Sequence, residues 1–239
     1  MLRRNLPNAL TLGNLLCGCL AIQQLLSGDP LLAPWLMVAS GVLDFFDGMV
    51  ARALNVLSPV GKDLDSLADV VSFGVLPGFM AFYLIGEASS IDSPQSLDLT
   101  NLSPALIAFL IPIFSAFRLA KFNHDTRQTS SFIGMPTPAN GFFWAGMFYL
   151  IMNDGFEFFS ATALSIIALA SALWLVSPLP MFSFKFNKNM KIMEWWPQVI
   201  LLAISIPMLI MYSLSAFASI VFAYALLSLL QSFLIKLRS

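Results

Sequence analysis

Four aspartates, spaced as two pairs, are the residues of this chain best suited to chemistry. Asp44 and Asp47 are three positions apart and Asp65 and Asp69 are four apart, so each pair would share one face of a helix. They belong to the pattern D-x-x-D-G-x-x-A-R, eight residues, G-x-x-x-D-x-x-x-D, whose other fixed positions are Gly48, Ala51, Arg52 and Gly61. Because the surrounding segments are apolar, four carboxylates with one arginine need further positive charge, which bound divalent cations can supply.

The segment between the two pairs predicts how they meet. A short link around Ser58, Pro59 and Gly61 is expected to turn the chain so that the two helices pack antiparallel. The four carboxylates would then converge near the helix ends, in a geometry suited to two divalent ions about 4 Å apart that clamp a phosphoryl group. Oxygen ligands favour Mg²⁺ or Mn²⁺, and the sequence offers no Cys/His cluster for zinc.

The other fixed residues admit a functional and a structural interpretation. Small side chains at Gly48 and Ala51 let a ligand or a neighbouring backbone approach closely, and Arg52 is suited to forked contacts with phosphate. Alternatively, the two small residues serve helix packing and Arg52 anchors the membrane edge. Asp63, outside the pattern, is predicted to be a solvated residue in the first turn of its helix.

Composition places this motif inside a membrane protein. The chain of 239 residues is 58% hydrophobic and 10% charged, with a mean hydropathy of +0.82. Soluble domains carry about 25% charged residues. The net charge of −1 argues against a nucleic-acid partner. We therefore predict an all-α, polytopic membrane helix bundle.

Uncharged stretches predict about eight transmembrane helices in a single integral membrane domain, 1–239. The segment 195–235 has 41 residues without a charge, roughly 60 Å as a helix against a core of about 30 Å, so it must fold back near 212–215. A catalytic core of about 1–180 would be followed by two additional C-terminal helices, about 196–236. The predicted helices are 6–27, 31–54, 62–86, 103–122, 137–153, 159–179, 196–212 and 215–236.

The basic residues predict the orientation. If the N-terminus is cytoplasmic, all 12 Lys and Arg fall on the cytoplasmic side, whereas the opposite loops contain only acidic charges. Such segregation is typical of positive-inside sorting. We therefore expect both termini and the acidic motif to be cytoplasmic, in what would be the cell (inner) membrane of a prokaryote.

The acidic pattern matches without a departure the signature of the CDP-alcohol phosphatidyltransferase family, which this chain resembles. The resemblance implies a six-helix core, a homodimer, and transfer of a phosphatidyl group from a CDP-linked lipid to an alcohol, with release of CMP. It implies that Asp44, Asp47 and Asp65 ligate metal, and that Asp69 completes the metal site and acts as general base. It also implies that a CDP pocket is lined by Gly48, Ala51, Arg52 and Gly61.

Two further stretches are similar to the serine-accepting branch of the family. Near the N-terminus, Pro7-Asn8-x-x-Thr11-x-x-Asn14 resembles its opening helix, where Asn8 and Thr11 share a face and could meet the nucleotide; helix capping and local hydrogen bonding are the alternative. The second stretch consists of two segments, F-R-L-A-K-F-N at 117–123 and F-x-G-M-P-x-P-A at 132–139. Both are similar to segments of the serine-accepting branch. In the second stretch, Lys121 replaces a common arginine and Met135 a common leucine, which keeps the positive charge but not the forked contacts of the arginine.

Arg118 and Lys121 lie three residues apart at the predicted cytoplasmic end of a helix. They could hold a carboxylate or a phosphate, or they could merely follow the positive-inside rule.

The resemblance favours CDP-diacylglycerol and L-serine as substrates. A sibling acceptor, glycerol phosphate or inositol (phosphate), is the alternative within the family. A cation-coupled transporter is the alternative outside it, disfavoured by the off-centre aspartates and the lack of inverted repeats.

Overall fold

The computed structural model describes residues 2–56, 58–89, 104–124, 131–155, 159–183 and 195–238. Within these ranges the chain is almost entirely helical, which confirms the predicted all-α class. The helices are α1 (Leu2–Ser27), α2 (Leu32–Ala53), α3 (Pro59–Val70), α4 (Leu76–Ala88), α5 (Leu110–His124), α6 (Thr137–Asp154), α7 (Ala161–Val176), α8 (Trp196–Tyr212) and α9 (Ala216–Arg238).

All eight predicted helices are present, because α3 and α4 are halves of one continuous helix. A π-helical turn, Val71–Val75, joins them, and a 3₁₀ turn, Pro104–Phe109, leads into α5. Five stretches in the described ranges are long and apolar enough to cross a membrane: Asn5–Ser27, Leu32–Ala53, Pro59–Ala88, Pro104–His124 and Trp196–Leu234. The protein is therefore an integral membrane protein.

The last apolar stretch folds back where its length requires it. A 3₁₀ turn, Ser213–Ser215, separates α8 from α9, and Ser213 has a φ of 51°. The two helices pack against each other, and α9 also packs along α6. The predicted reversal near 212–215 is confirmed.

The predicted link between the acidic helices differs in detail from the observed one. The chain turns at Leu54 and Asn55, the latter with a φ of 52°, whereas Pro59 and Gly61 already belong to α3. Ser58 caps this helix by accepting a hydrogen bond from the Gly61 N–H at 3.0 Å, and Pro59 occupies the first turn, where its missing N–H costs nothing. The expected direct packing of α2 on α3 is wrong, because α1 packs against both and the two acidic helices make few contacts with each other.

A small antiparallel sheet was not predicted. Strand β1 (Ser131–Ile133) pairs with β2 (Pro180–Phe182), with Phe132 opposite Met181. Gly134 follows β1 with a φ of 76°, and a Cβ there would lie 2.5 Å from the Leu175 carbonyl oxygen. The glycine of the F-x-G-M-P segment is therefore required by the close approach of α7.

Hydrogen bonds place Lys62 and Arg118 at one end of the bundle. Lys62 Nζ donates to the Asn123 carbonyl at 2.8 Å, so the start of α3 lies beside the end of α5. Arg118 donates to Thr137 at the start of α6. The segments 90–103, 125–130 and 184–194 lie outside the described residues, and with them Arg127, Lys185, Lys188 and Lys191.

Candidate active site

Three carboxylates from two helices meet at this end of the bundle. Single carboxylate oxygens of Asp44, Asp47 and Asp65 all lie within 4.8 Å of one another. Asp47 is 5% exposed, and the other two are half-buried. Clustered carboxylates repel unless cations bind between them, and their oxygens are the ligands that Mg²⁺ and Mn²⁺ prefer. The donor set therefore fits a divalent metal ion.

Asp69 lies beside this cluster rather than within it. Its carboxyl group neighbours that of Asp44, and it is 8% exposed. Asn14 Nδ2 donates to Asp69 Oδ1 at 3.4 Å, which leaves the second carboxylate oxygen of Asp69 outside this contact. The fourth aspartate is thus buried beside the cluster and held by an amide.

Helix α1 positions the acidic residues of both other helices. Thr11 donates to Asp47 Oδ2 at 2.5 Å, and Asn14, three residues later on the same face, reaches Asp69 on α3. The shared face of Asn8, Thr11 and Asn14 is therefore the wall against which the two acidic helices are aligned.

Two serines, here called the serine layer, hold Asn14 in place through hydrogen bonds. Ser40 on α2 donates towards Asn14 Oδ1 and lies 3.2 Å from the Asn14 carbonyl oxygen, which also accepts from Ser72 at 3.1 Å. Both serines are fully buried. Gly18 allows this approach, because a Cβ there would lie 2.5 Å from Ser72 Oγ. Buried polar groups satisfied in this way hold one geometry.

Our sequence analysis missed Ser40 and Ser72 as parts of the site. Ser40 lies one helical turn before Asp44, and Ser72 lies three residues after Asp69, inside the π-helical turn. A polar residue one turn from an essential carboxylate, on an otherwise apolar helix, is the signal that could have identified both. Single π-helical turns frequently occur at functional sites.

A groove of about 610 Å³ opens in front of the carboxylates. This volume lies within the roughly 300–1,000 Å³ of small-molecule sites. All six residues that the family resemblance assigns to the CDP-lipid line it, together with Asp47 and Asp65. They are Asn8, Thr11, Gly48, Ala51, Arg52 and Gly61.

The two glycines of the motif relate differently to the groove. A Cβ at Gly48 would come no closer than 3.4 Å to any neighbouring atom, the nearest being on Arg52, so helix packing does not require a glycine there. A Cβ at Gly61 would lie 3.1 Å from Ser58 Oγ and 3.3 Å from Asn8 Oδ1. Gly61 therefore leaves room for the helix cap and for Asn8, whereas Gly48 keeps the groove itself open.

Arg118 and Lys121 do not line this groove, and their environments differ. Arg118 is 7% exposed, its NH1 atom donates to Thr137 Oγ1 at 3.3 Å, and its Nε and NH2 atoms have no hydrogen-bond partner in the described part of the chain. Its guanidinium also lies 6.0 Å from the Phe122 ring centre, within reach of a cation–π contact. Lys121 is exposed. The pair predicted to share a ligand thus consists of one buried cation with free donors and one solvated cation.

Comparison with known proteins agrees with this architecture. Residues 4–177 match the CDP-alcohol phosphatidyltransferase family, and the chain belongs to that family. A Bacillus subtilis CDP-diacylglycerol–serine O-phosphatidyltransferase is 37% identical over 148 residues, which are 62% of this chain and 75% of the relative.

Two other relatives with the same name match a smaller share of their own length. The Helicobacter pylori enzyme (strain 26695) is 38% identical over 135 residues, 56% of this chain and 52% of the relative. The Mycobacterium leprae enzyme is 30% identical over 184 residues, 74% of this chain and 57% of the relative. The chain thus spans little more than half the length of these two proteins.

Proposed function

We propose that this protein transfers the phosphatidyl group of CDP-diacylglycerol to the hydroxyl of L-serine and releases CMP. The observation that carries the proposal is the groove that all six residues of the family's CDP-binding pattern line together with Asp47 and Asp65 of the carboxylate cluster. The names of the similar proteins support serine as the acceptor.

Different residues in and beside the groove would bind the pyrophosphate, the nucleotide and the metal ions. Arg52 and Lys62 line it and supply positive charge for the pyrophosphate, while Asn8 offers an amide to the nucleotide. Asp44, Asp47 and Asp65 would hold Mg²⁺ or Mn²⁺, with Asp69 completing the site; Thr11 fixes the orientation of Asp47. Two such ions, when bound, polarise the phosphoryl oxygens and neutralise the charge of the departing nucleotide.

Asp69 is the candidate general base. A base must lie within hydrogen-bond reach of the proton it removes, and its position must be fixed. Asn14 fixes one oxygen of Asp69, and the layer of Ser40 and Ser72 fixes Asn14. Asp69 would accept the proton of the serine hydroxyl as that oxygen attacks phosphorus and the bond to CMP breaks.

An acceptor assay tests this proposal. Membranes that contain the protein should incorporate radiolabelled serine into lipid only when CDP-diacylglycerol is added, and unlabelled serine should compete. If glycerol phosphate or inositol (phosphate) competes and serine does not, the sibling activity replaces the one proposed. Lipid labelling that is independent of CDP-diacylglycerol would contradict both.

Arg118 is proposed to bind the serine carboxylate or the transferring phosphate, because it is buried and two of its donors have no partner among the described residues. Lys121, exposed at the end of α5, would add charge at the entrance. Arg118→Lys keeps the charge and removes the planar fork, so it should raise the serine KM at least tenfold. A lost charge-assisted hydrogen bond is worth roughly 1.5–3 kcal/mol. Unchanged KM values for both serine and the CDP-lipid would leave Arg118 as a topology anchor only.

We also propose that the groove faces the cytoplasm, because Arg52, Lys62 and Arg118 lie at its end of the bundle. In a variant whose Cys17 and Cys19 are replaced by serine, new cysteines at Ser90 and Asn187 should react with an impermeant maleimide from opposite faces. Ser90 should react from outside; both positions lie outside the described residues. Reaction of both from one face would overturn the orientation.

The resemblance further supports a homodimer and a division of the single domain into a core of about 1–180 and two additional C-terminal helices. The family match ends at residue 177, before α8 and α9 begin. Light scattering of the purified protein, corrected for detergent, should give the mass of two chains. The mass of one chain would contradict the dimer. The division is tested separately by removing α8 and α9, and retained activity of the shortened protein would support it.

A further inference from the structure

A second, smaller cavity lies between α6, α7 and α9, away from the acidic groove. It is a slot of about 280 Å³, and it shares no lining residue with the groove. Its walls are mostly apolar, with Phe143 on α6, Ile167 on α7 and Val221 on α9 among them. Its volume lies just below the range of about 300–1,000 Å³ for small-molecule sites, so it suits a slender chain better than a bulky headgroup.

One end of this slot carries buried polar atoms without partners. Asn140 is 0% exposed, and neither its Nδ2 nor its Oδ1 atom has a hydrogen-bond partner in the described ranges. The same holds for Trp174 Nε1. Ser171 also lines the slot, but its hydroxyl is paired, because it accepts a hydrogen bond from Trp144 Nε1 and donates one to the Ala168 carbonyl. Since buried polar groups are almost always paired, Asn140 and Trp174 indicate a ligand with polar atoms at this end.

The slot is polar at one end, apolar along its walls and bordered by exposed residues. Asn140 is in the first turn of α6 and Trp174 in the last turn of α7, so the polar end lies at the same end of the bundle as Arg118 and Thr137. From there the apolar wall continues towards Ile167, two helical turns deeper. Ala170 and Phe222 are exposed, and they form the side that faces the surrounding bilayer.

We propose that this slot binds one acyl chain of a bilayer phospholipid other than the CDP-linked substrate. The ester carbonyl has two lone pairs and can accept hydrogen bonds from both Asn140 Nδ2 and Trp174 Nε1. Asn140 Oδ1 then faces the headgroup, whose hydroxyl or ammonium group can donate. A separate lipid is favoured over the substrate because the helices that bound the slot contribute no residue to the groove that would hold the substrate's nucleotide.

A photoreactive lipid tests the proposal on the full chain. The protein is reconstituted in phosphatidylcholine vesicles that contain phosphatidylglycerol with a diazirine in one acyl chain, then irradiated and mapped by peptide mass spectrometry. Val221 lines the slot but is only 6% exposed, so labelling at Val221 reports a lipid inside the slot rather than around the protein. This labelling should saturate at low mole fractions of the probe.

Two tryptophan variants on one face of α7 provide a matched pair. Ala170→Trp should fill the slot and reduce labelling at Val221 at least fivefold. Ile166→Trp, one turn earlier on the same face, is exposed and does not line the slot, so it should leave labelling unchanged. Asn140→Leu, which keeps the volume and removes the amide, should reduce labelling at least threefold.

Four results would overturn the proposal. They are absence of labelling at Val221, equal labelling in the two tryptophan variants, undiminished labelling in Asn140→Leu, and loss of labelling when one equivalent of CDP-diacylglycerol is added. The last result would assign the slot to the substrate. Because none of these readouts depends on turnover, failure here and failure of the proposed activity remain distinguishable.

Discussion

Asp44→Asn and Asp47→Asn should each lower turnover by about a thousandfold while the protein still inserts and folds. Both residues belong to the cluster of three carboxylates, and an amide in place of either weakens the site for a divalent ion. Loss of about 4 kcal/mol of transition-state stabilisation, within the several kcal/mol that a bound metal supplies, gives this factor. The measurement is the initial rate of phosphatidyl transfer against Mg²⁺ or Mn²⁺ concentration.

Asp63→Asn is the matched control for these variants. Asp63 is on the same helix as Asp65 but is exposed and outside the cluster, so its amide should leave the rate and the metal dependence unchanged. Full activity of the unmodified protein in excess EDTA would contradict the metal-assisted mechanism, whatever the variants do.

Asp69→Asn should lower kcat by about 10²–10⁴, the usual contribution of a general base. The amide keeps the size of the side chain, and its oxygen can still accept from Asn14 Nδ2, so the geometry is retained while the base is lost. Because Asp69 lies outside the three-carboxylate cluster and does not line the groove, the KM for CDP-diacylglycerol should change little.

The split between kcat and KM separates this role from a metal-binding one. If Asp69 mainly ligates metal, the variant should recover activity at high Mg²⁺ or Mn²⁺ concentration, as a weakened site refills. If Asp69 is the base, no metal concentration should restore the rate. A kcat within threefold of the unmodified protein would remove Asp69 from the chemistry.

The convergence of three of the four aspartates could be predicted from sequence because its logic is local, whereas the residues of the groove were expected only from the family resemblance. The spacing of three and four residues within each pair fixes a shared helix face, and the cost of carboxylates in an apolar segment requires that they converge. Helix boundaries were close for the same reason, since the length of the hydrocarbon core limits each uncharged stretch.

The partner of the acidic helices could not be predicted in this way. Helix α1 lies against both, and beyond α3 it approaches the π-helical turn closely where Gly18 meets Ser72, which no periodic pattern in the sequence predicts. No sequence pattern predicts the π-helical turn after Asp69 either, because the same residues would suit an α-helix. Both features are tertiary, and together they build the buried layer that supports Asn14.

Arg118 and Lys121 show the same limit at the level of single residues. A spacing of three residues predicted one shared face, but α5 ends among α3, α6 and β1, which bury one cation and leave the other in solvent. The sequence therefore predicts two positive charges at this helix end. Which of the two side chains is buried depends on the packing of the neighbouring elements.

The most direct test of the account measures both products of the purified protein together. With CDP-diacylglycerol, L-serine and Mg²⁺ or Mn²⁺, CMP and serine-containing lipid should form in a 1:1 ratio, and Asp47→Asn should abolish both. Release of CMP without lipid-linked serine, or formation of that lipid at an undiminished rate by Asp47→Asn, would contradict the account.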